Sequence, residues 1–256
     1  MDSLAIETHG LRKEFGEFTA VDGIDLRVPR GSFYGFLGPN GAGKSTTIKC
    51  LTGLLKPSAG RFKILDMDPQ RMAVAVKRQV GVVPEDLALF DRLTGAETLA
   101  FVGRVHGIDT KKVRERSEEL LSLMELRKAA NDLVADYSHG MRKKIALSAA
   151  LLPAPRLLFL DEPFEGIDAI ASRQIKDLLA AFVKNGGTVF ITTHVLEIVE
   201  RLCDHIAIIS KGRLVTQGSM AELRAGGTTG QSLEERFMDI VGASKSSPLA
   251  IDWLGG

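Results

Sequence analysis

The 256-residue chain has little of what several large classes of protein depend on. Cysteine occurs only twice, at Cys50 and Cys203, which excludes a scaffold held together by several disulfide bridges. Lys and Arg number 33 and Asp and Glu 32, so the chain lacks the basic excess typical of general nucleic-acid binders. No run of about 18 apolar residues occurs that could cross a bilayer as a helix. Residues 1–7 contain no basic segment followed by an apolar run, so we expect no signal peptide there.

What remains is the composition of an ordinary globular protein, with 45% hydrophobic and 25% charged residues. At about 100–200 residues per domain, the length predicts one large domain or two small ones. The mean hydropathy of +0.06 is slightly high, which indicates that part of the surface contacts a partner.

Strand and helix patterns alternate along most of the chain. Residues 24–28 alternate apolar and polar, as in a half-buried strand, and residues 32–37 form a buried strand. Later segments with strand character are 61–65, 79–83, 157–160, 187–192 and 206–209. This order, with helical stripes between the strands, predicts a mostly parallel sheet with crossover helices. Residues 86–152 show helical periodicity and little strand character, which predicts a helical insertion.

A phosphate-binding loop follows the buried strand at 32–37. The segment from Gly38 to Ser45 matches the pattern G-x-x-x-x-G-K-[ST] in full, and a helical pattern begins directly after it. Glycines let the backbone wrap closely around an anion, while the helix N-terminus favours negative charge. We expect Lys44 to contact the β- and γ-phosphates and the Ser45 hydroxyl to bind Mg²⁺. These features leave kinase, GTPase and ATPase open.

A second strand ends in two carboxylates. The apolar run 157–160 leads into Asp161 and Glu162. Asp161 can hold Mg²⁺ through water, and Glu162 can polarise an attacking water as a general base. An acidic turn after a strand is common by itself, but together with the upstream phosphate loop it indicates a nucleotide-hydrolysing site.

With three further motifs in the same order, the chain resembles the ATP-binding subunit of ABC transporters. The segment 137–141, Tyr-Ser-His-Gly-Met, resembles the family's signature motif, and 164–168 resembles its D-loop. Thr193-His194 after a strand resembles its switch histidine. The resemblance covers roughly residues 4–225, which is most of the chain.

The resemblance implies an α/β fold: a P-loop RecA-like core with an N-terminal antiparallel β subdomain and an inserted α-helical subdomain. We place the ATPase domain at 4–225 and the inserted subdomain at about 86–152. Residues 226–256 are expected to form a C-terminal tail with a short amphipathic helix, on which Leu233, Phe237, Ile240 and Val241 share one face.

The resemblance also assigns roles, with ATP and Mg²⁺ as the bound species. Glu162, His194 and Lys44 are the predicted catalytic residues, and Ser45, Asp161 and Glu85 the predicted metal ligands. In the family the signature helix faces ATP on a second copy, which implies that Ser138 and Gly140 do so here. The full set of residues expected to contact ATP is Phe15, Gly38, Pro39, Asn40, Gly41, Ala42, Gly43, Lys44, Ser45, Thr46, Ser138, Gly140 and Asp168.

Two of these residues leave alternatives open. Phe15 lies where the family has an aromatic residue that stacks on adenine, but a core phenylalanine is the competing interpretation. Glu85 occupies a position where the family has glutamine. It either binds Mg²⁺ as a carboxylate, which is our hypothesis, or repels the attacking water and slows turnover.

The predicted function is ATP hydrolysis by a dimer that powers transport through separate integral membrane permease subunits. The Tyr-Ser-x-Gly-Met form of the signature resembles ATPases that serve ABC-2 type permeases, which are often exporters. We expect a cytoplasmic chain held at the inner face of the membrane by the permease, with no nucleic-acid partner. The alternatives are a soluble ABC ATPase acting on ribosomes or nucleic acid, and a regulatory module that does not turn over.

The permease is expected to contact the segment from Glu85 to Leu99. Leu87, Leu89 and Phe90 are either exposed for that contact or part of the core, and the sequence favours neither.

Overall fold

The computed structural model describes residues 3–225 and Phe237, and that part of the chain forms two β-sheets with α-helices around them. The strands are β1 Leu4–Phe15, β2 Phe18–Ile24, β3 Arg27–Pro29, β4 Phe33–Leu37, β5 Ala59–Ile64, β6 Val80–Val83, β7 Leu157–Asp161, β8 Thr188–Thr193, β9 His205–Ser210 and β10 Arg213–Ser219. The helices are α1 Lys44–Leu51, α2 Ala73–Lys77, α3 Gly95–Val105, α4 Thr110–Leu123, α5 His139–Leu151, α6 Ala169–Lys184, α7 Leu196–Leu202 and α8 Met220–Ala225.

The larger sheet has the order β10-β9-β4-β8-β7-β6, and all its neighbouring strands are parallel except the edge pair β10 and β9. Every residue of β4, β7 and β8 is buried, as expected for parallel strands covered on both faces. In register, Leu37 pairs with Thr193 and Asp161 with Thr192. The residues that follow these three strands therefore lie at one edge of the sheet.

The smaller sheet is antiparallel and consists of β1, β2, β3 and β5. The predicted strand over 24–28 is divided here, because β2 ends at Ile24 and β3 begins at Arg27. The buried hydroxyl of Thr8 donates to the Ile24 carbonyl at 2.8 Å and accepts from the Leu26 amide at 2.7 Å. The Thr8 side chain thus adds to the backbone pairing at this point, where the Thr8 amide also donates to the Leu26 carbonyl at 2.9 Å. The sequence pattern gave no sign of it.

Helices α3, α4 and α5 follow one another between β6 and β7, in the segment predicted to be a helical insertion. Each begins at a capping residue, namely Thr94, Asp109 and Ser138. Their apolar faces share a core with strand β7 and helix α6, as Leu99 and Leu160 illustrate.

The fold class predicted from the sequence is confirmed. Among residues 3–225, no helix combines the length and apolar character needed to cross a bilayer. The predicted tail helix lies outside the described residues, apart from Phe237, which is half-buried against the core shared by α3–α6.

Candidate active site

The loop between β4 and α1 has a shape that only glycine allows at two positions. Gly43 has φ +106°, and a β-carbon there would collide with the Ala20 carbonyl oxygen. A β-carbon at Gly38 would collide with the carbonyl oxygen of Ile209. The loop therefore passes very close to the neighbouring backbone before Lys44 begins α1.

Lys44, Glu162 and His194 meet at the edge of the sheet where β4, β7 and β8 end. The Lys44 ammonium lies 3.4 Å from Glu162 Oε1, and His194 Nδ1 lies 3.1 Å from the same oxygen. The side chains of Lys44 and Glu162 are 6% and 8% exposed, whereas that of His194 is 39% exposed. The structure thus brings together the three residues predicted to be catalytic.

The Lys44 ammonium and the Glu162 backbone have further partners. The ammonium also donates to the carbonyls of Gly38 at 2.8 Å and Pro39 at 3.3 Å. Glu162 has φ +46°, an uncommon conformation for a residue with a side chain, and its amide donates to Thr192 Oγ1 at 3.2 Å. The Lys44 ammonium and the Glu162 backbone are therefore held in position.

A cavity of about 350 Å³ opens above this pair. Its lining residues are Phe18, Ala20, Asn40, Gly41, Gly43, Lys44, Ser45, Thr46, Glu85, Glu162, Glu165 and His194. Most of the phosphate-loop residues named from the sequence thus face the same cavity as the predicted catalytic residues.

Two of the predicted metal ligands, Ser45 and Glu85, line the cavity, while Asp161 is 3% exposed and accepts a hydrogen bond from the Thr192 hydroxyl. Partial burial raises the pKa of Glu85, and the negative charges of Asp161 and Glu165 raise it further. Among the described residues, no three His, Cys, Asp or Glu side chains are arranged to hold a metal ion by themselves. Any ion here would need other oxygen ligands as well.

The hairpin of β1 and β2 places two aromatic side chains near the cavity. Phe15 is 47% exposed, which argues against its being a core residue. Its cross-strand partner Phe18 is 64% exposed, and of the two only Phe18 lines the cavity. Sequence reasoning missed Phe18, although a second aromatic residue in the same hairpin was a usable signal.

The predicted signature and D-loop residues do not line this cavity. The Ser138 hydroxyl accepts from the Met141 amide at 3.3 Å at the start of α5, and Gly140 is buried. Asp168 accepts from the Ala171 amide at 2.8 Å at the start of α6, and this hydrogen bond lowers the pKa of Asp168. Within one copy, these residues are therefore not part of the cavity that Lys44 lines.

A second cavity, of about 420 Å³, lies between β6 and the helices α3 and α5. Leu87 and Leu89 are partly buried against the core, whereas Phe90 is 56% exposed. The Phe90 ring packs edge to face on Phe101, which is 42% exposed, with 5.1 Å between the ring centres. Of the three residues left open by the sequence, Leu87 and Leu89 therefore pack against the core and Phe90 lies at the surface.

Comparison with known proteins gives consistent results. A family model described as ABC transporter matches residues 21–165. The chain is 39% identical to the daunorubicin resistance ATP-binding protein DrrA3 of Streptomyces coeruleorubidus, over 88% of this chain and 71% of that protein. It is 38% identical to the Nod factor export ATP-binding protein I of Ralstonia nicotianae, over 85% of this chain and 68% of that protein.

Two solved structures share the fold. One, described as an ATP-binding subunit of an ABC transporter, is 29% identical with a TM-score of 0.86, covering 92% of this chain and 99% of that chain. The other is a dimeric ATP-binding cassette in a post-hydrolysis state with ADP and phosphate. It is 25% identical with a TM-score of 0.76, over 84% of this chain and 98% of that chain.

Proposed function

Because the chain belongs to the ABC transporter family as an ATP-binding subunit that hydrolyses ATP, we propose that two copies enclose ATP and drive export through separate membrane-embedded permease subunits. One observation carries the assignment of residues. Lys44 and His194 both lie within 3.4 Å of one Glu162 oxygen, beside the glycine-rich loop.

The hydrolytic step is assigned to the side chains of the cavity. The loop from Gly38 to Thr46 holds the ATP phosphates, and Lys44 stabilises the negative charge on the γ-phosphate. Glu162 accepts a proton from water as the water oxygen attacks the γ-phosphorus, and ADP leaves. His194 donates a hydrogen bond to the γ-phosphate and aligns it with this water. A positioned general base contributes about 10²–10⁴-fold to such a step.

The oxygen donors of Ser45, Asp161 and Glu85 are the ligand type that Mg²⁺ prefers, so the residues present fit this ion. Bound there, Mg²⁺ would neutralise charge on the β- and γ-phosphates. Glu85 lines the cavity together with Ser45, and the carboxylates of Asp161 and Glu165 act on it electrostatically, so a cation bound among these acidic groups would be favoured. Replacing Glu85 with Gln should therefore raise the Mg²⁺ concentration needed for half-maximal hydrolysis. An unchanged rate and Mg²⁺ requirement would remove Glu85 from the mechanism.

A second copy completes each ATP site. Ser138 and Gly140 begin the 13-residue helix α5, whose N-terminus suits an anion. We assign them to the γ-phosphate of ATP on the other copy, with Asp168 contacting the opposite phosphate loop. Phe15 and its cross-strand partner Phe18 are assigned to stacking on adenine, which the exposure of both rings supports.

The apolar cavity beside Phe90 and Phe101 is the proposed contact for the permease, which would hold the chain at the cytoplasmic face of the membrane. Two exposed rings packed on each other form an apolar surface of the kind that marks interaction sites.

The relatives named for drug resistance and Nod factor export support export. They do not favour action on ribosomes or nucleic acid, or a purely regulatory role. The ATPase domain is assigned to residues 4–225, with the helical subdomain at about 86–152 and a tail at 226–256.

Steady-state phosphate release from ATP tests the assignment. We expect Glu162→Gln and His194→Ala to lower kcat by about 10²–10⁴-fold, with Lys44→Ala also losing nucleotide binding. Glu118→Gln is the matched control, because Glu118 forms only a surface pair with Arg114 at 3.1 Å. Wild-type turnover by Glu162→Gln would overturn the assignment of the general base.

A further inference from the structure

Lys143 is a buried cation to which the mechanism above gives no role. It lies on α5, is 5% exposed, and forms no ion pair among the described residues. Its ammonium donates to the Glu162 carbonyl at 2.7 Å and to the Glu165 carbonyl at 2.6 Å. Its stem passes an apolar slot lined by Val83, Leu147, Leu160, Pro163 and Ile175. A charged group this deeply buried has lost much of its hydration, and the hydrogen bonds to the two carbonyls compensate for that loss.

These contacts hold the backbone of the proposed general base. Glu162 has φ +46°, a region that a residue with a side chain occupies only when its surroundings enforce it. Its carbonyl accepts from Lys143 and from the Glu165 amide at 3.3 Å, while its own amide donates to Thr192. With the backbone fixed on both sides, the carboxylate lies beside Lys44 and His194.

The same helix also packs against the segment 164–168. A β-carbon at Gly166 would lie 3.3 Å from the His139 ring, and one at Gly140 would lie 3.6 Å from Asp168 Oδ2. The first two turns of α5 therefore contact both the Glu162 turn and the segment that follows it. A displacement of α5 would therefore also move Lys143, whose ammonium donates to the Glu162 carbonyl.

We propose that Lys143 is a positioning residue, which sets the conformation of Glu162 and links it to the helix that faces the second copy's ATP. The inference rests on the proposed role of Glu162. Without the Lys143 ammonium, the carboxylate would leave the position needed to accept a proton from water, whereas the phosphate loop would keep its shape.

The test compares Lys143→Met, Lys143→Arg and the wild type in ATP hydrolysis and in equilibrium binding of ADP. Methionine fits the apolar slot but has no donor, whereas arginine keeps donors for two carbonyls. We expect Lys143→Met to lower kcat about 10–100-fold, since small misplacements of a reacting group cost this much. ADP affinity should not fall, because the phosphate loop keeps its shape, and Lys143→Arg should recover part of the lost rate. Lys112→Met, on the exposed surface of α4, is the control for loss of a lysine.

A double-mutant cycle distinguishes positioning from a structural effect. In a Glu162→Gln background, Lys143→Met should cause no further loss of kcat, because the group it positions is already gone. The inference would be overturned if the two substitutions lowered kcat by the product of their separate effects. It would also be overturned by an ADP affinity that falls in step with kcat, or by wild-type kcat in folded Lys143→Met. If Lys143→Met does not fold, as judged by thermal unfolding, a wild-type kcat in Lys143→Gln, whose shorter amide cannot span the same distance, would overturn it instead. Wild-type kcat in Glu162→Gln alone would instead contradict the proposed function, so the two failures are distinguishable.

Discussion

The ion pair between Lys44 and Glu162 should oppose nucleotide binding. A phosphate that binds the Lys44 ammonium has to compete with the Glu162 carboxylate 3.4 Å away, and both side chains are almost fully buried. Replacing Glu162 with Gln removes the competing charge and also the repulsion between that carboxylate and the phosphates. We therefore predict that Glu162→Gln binds nucleotide more tightly than the wild type, although it hydrolyses ATP more slowly.

The size of the effect follows from the geometry. Two unit charges 3.4 Å apart attract by about 5 kcal/mol at an effective dielectric constant of ~20. Only part of this is recovered, because the ammonium keeps its bonds to the Gly38 and Pro39 carbonyls and the glutamine amide oxygen still accepts a hydrogen bond. If roughly 1.4 kcal/mol is recovered, the dissociation constant falls tenfold.

Isothermal titration with ADP measures this change without interference, since ADP lacks the γ-phosphate through which two copies are expected to join. Glu165→Gln is the matched control, because Glu165 lines the same cavity but forms no ion pair with Lys44. We expect a much smaller change in that variant. Equal or weaker ADP binding by folded Glu162→Gln would refute the argument that the pair restrains Lys44.

Three further predictions concern other parts of the chain. Phe18→Ala should weaken ATP binding by about 1–3 kcal/mol if its ring stacks on adenine, and titration of Phe15→Ala beside it shows whether both rings contribute. Thr94→Ala removes the hydroxyl that accepts from the Glu97 amide at the start of α3 and should lower the free energy of unfolding by about 1 kcal/mol, measured in urea. Burial raises the pKa of the Cys203 thiol, so a thiol reagent at pH 8 should label Cys203 only after unfolding; rapid labelling of the folded protein would contradict its burial.

The sequence predicted the elements whose signals are local. The phosphate loop, the apolar strand before Asp161 and the strand before His194 are contiguous patterns, and parallel strands bring their carboxyl ends to one edge. The convergence of Lys44, Glu162 and His194 could therefore be anticipated.

What the sequence could not show depends on contacts between distant segments. The Lys143 ammonium meets carbonyls about 20 residues away, and lysine in a helix is usually a surface residue. The division of the strand at 24–28 lies where the Thr8 side chain on β1 bonds the backbone of Ile24 and Leu26. No alternation or spacing rule reports contacts of these kinds.

The central claim is that two copies of the chain enclose ATP, with Ser138 and Gly140 of one copy facing the phosphates on the other. Light scattering of Glu162→Gln with ATP and Mg²⁺, and then with ADP, tests it most directly. We expect a species of twice the 27.7 kDa chain mass with ATP and a single chain with ADP. A single chain in both conditions, with ATP bound, would contradict it.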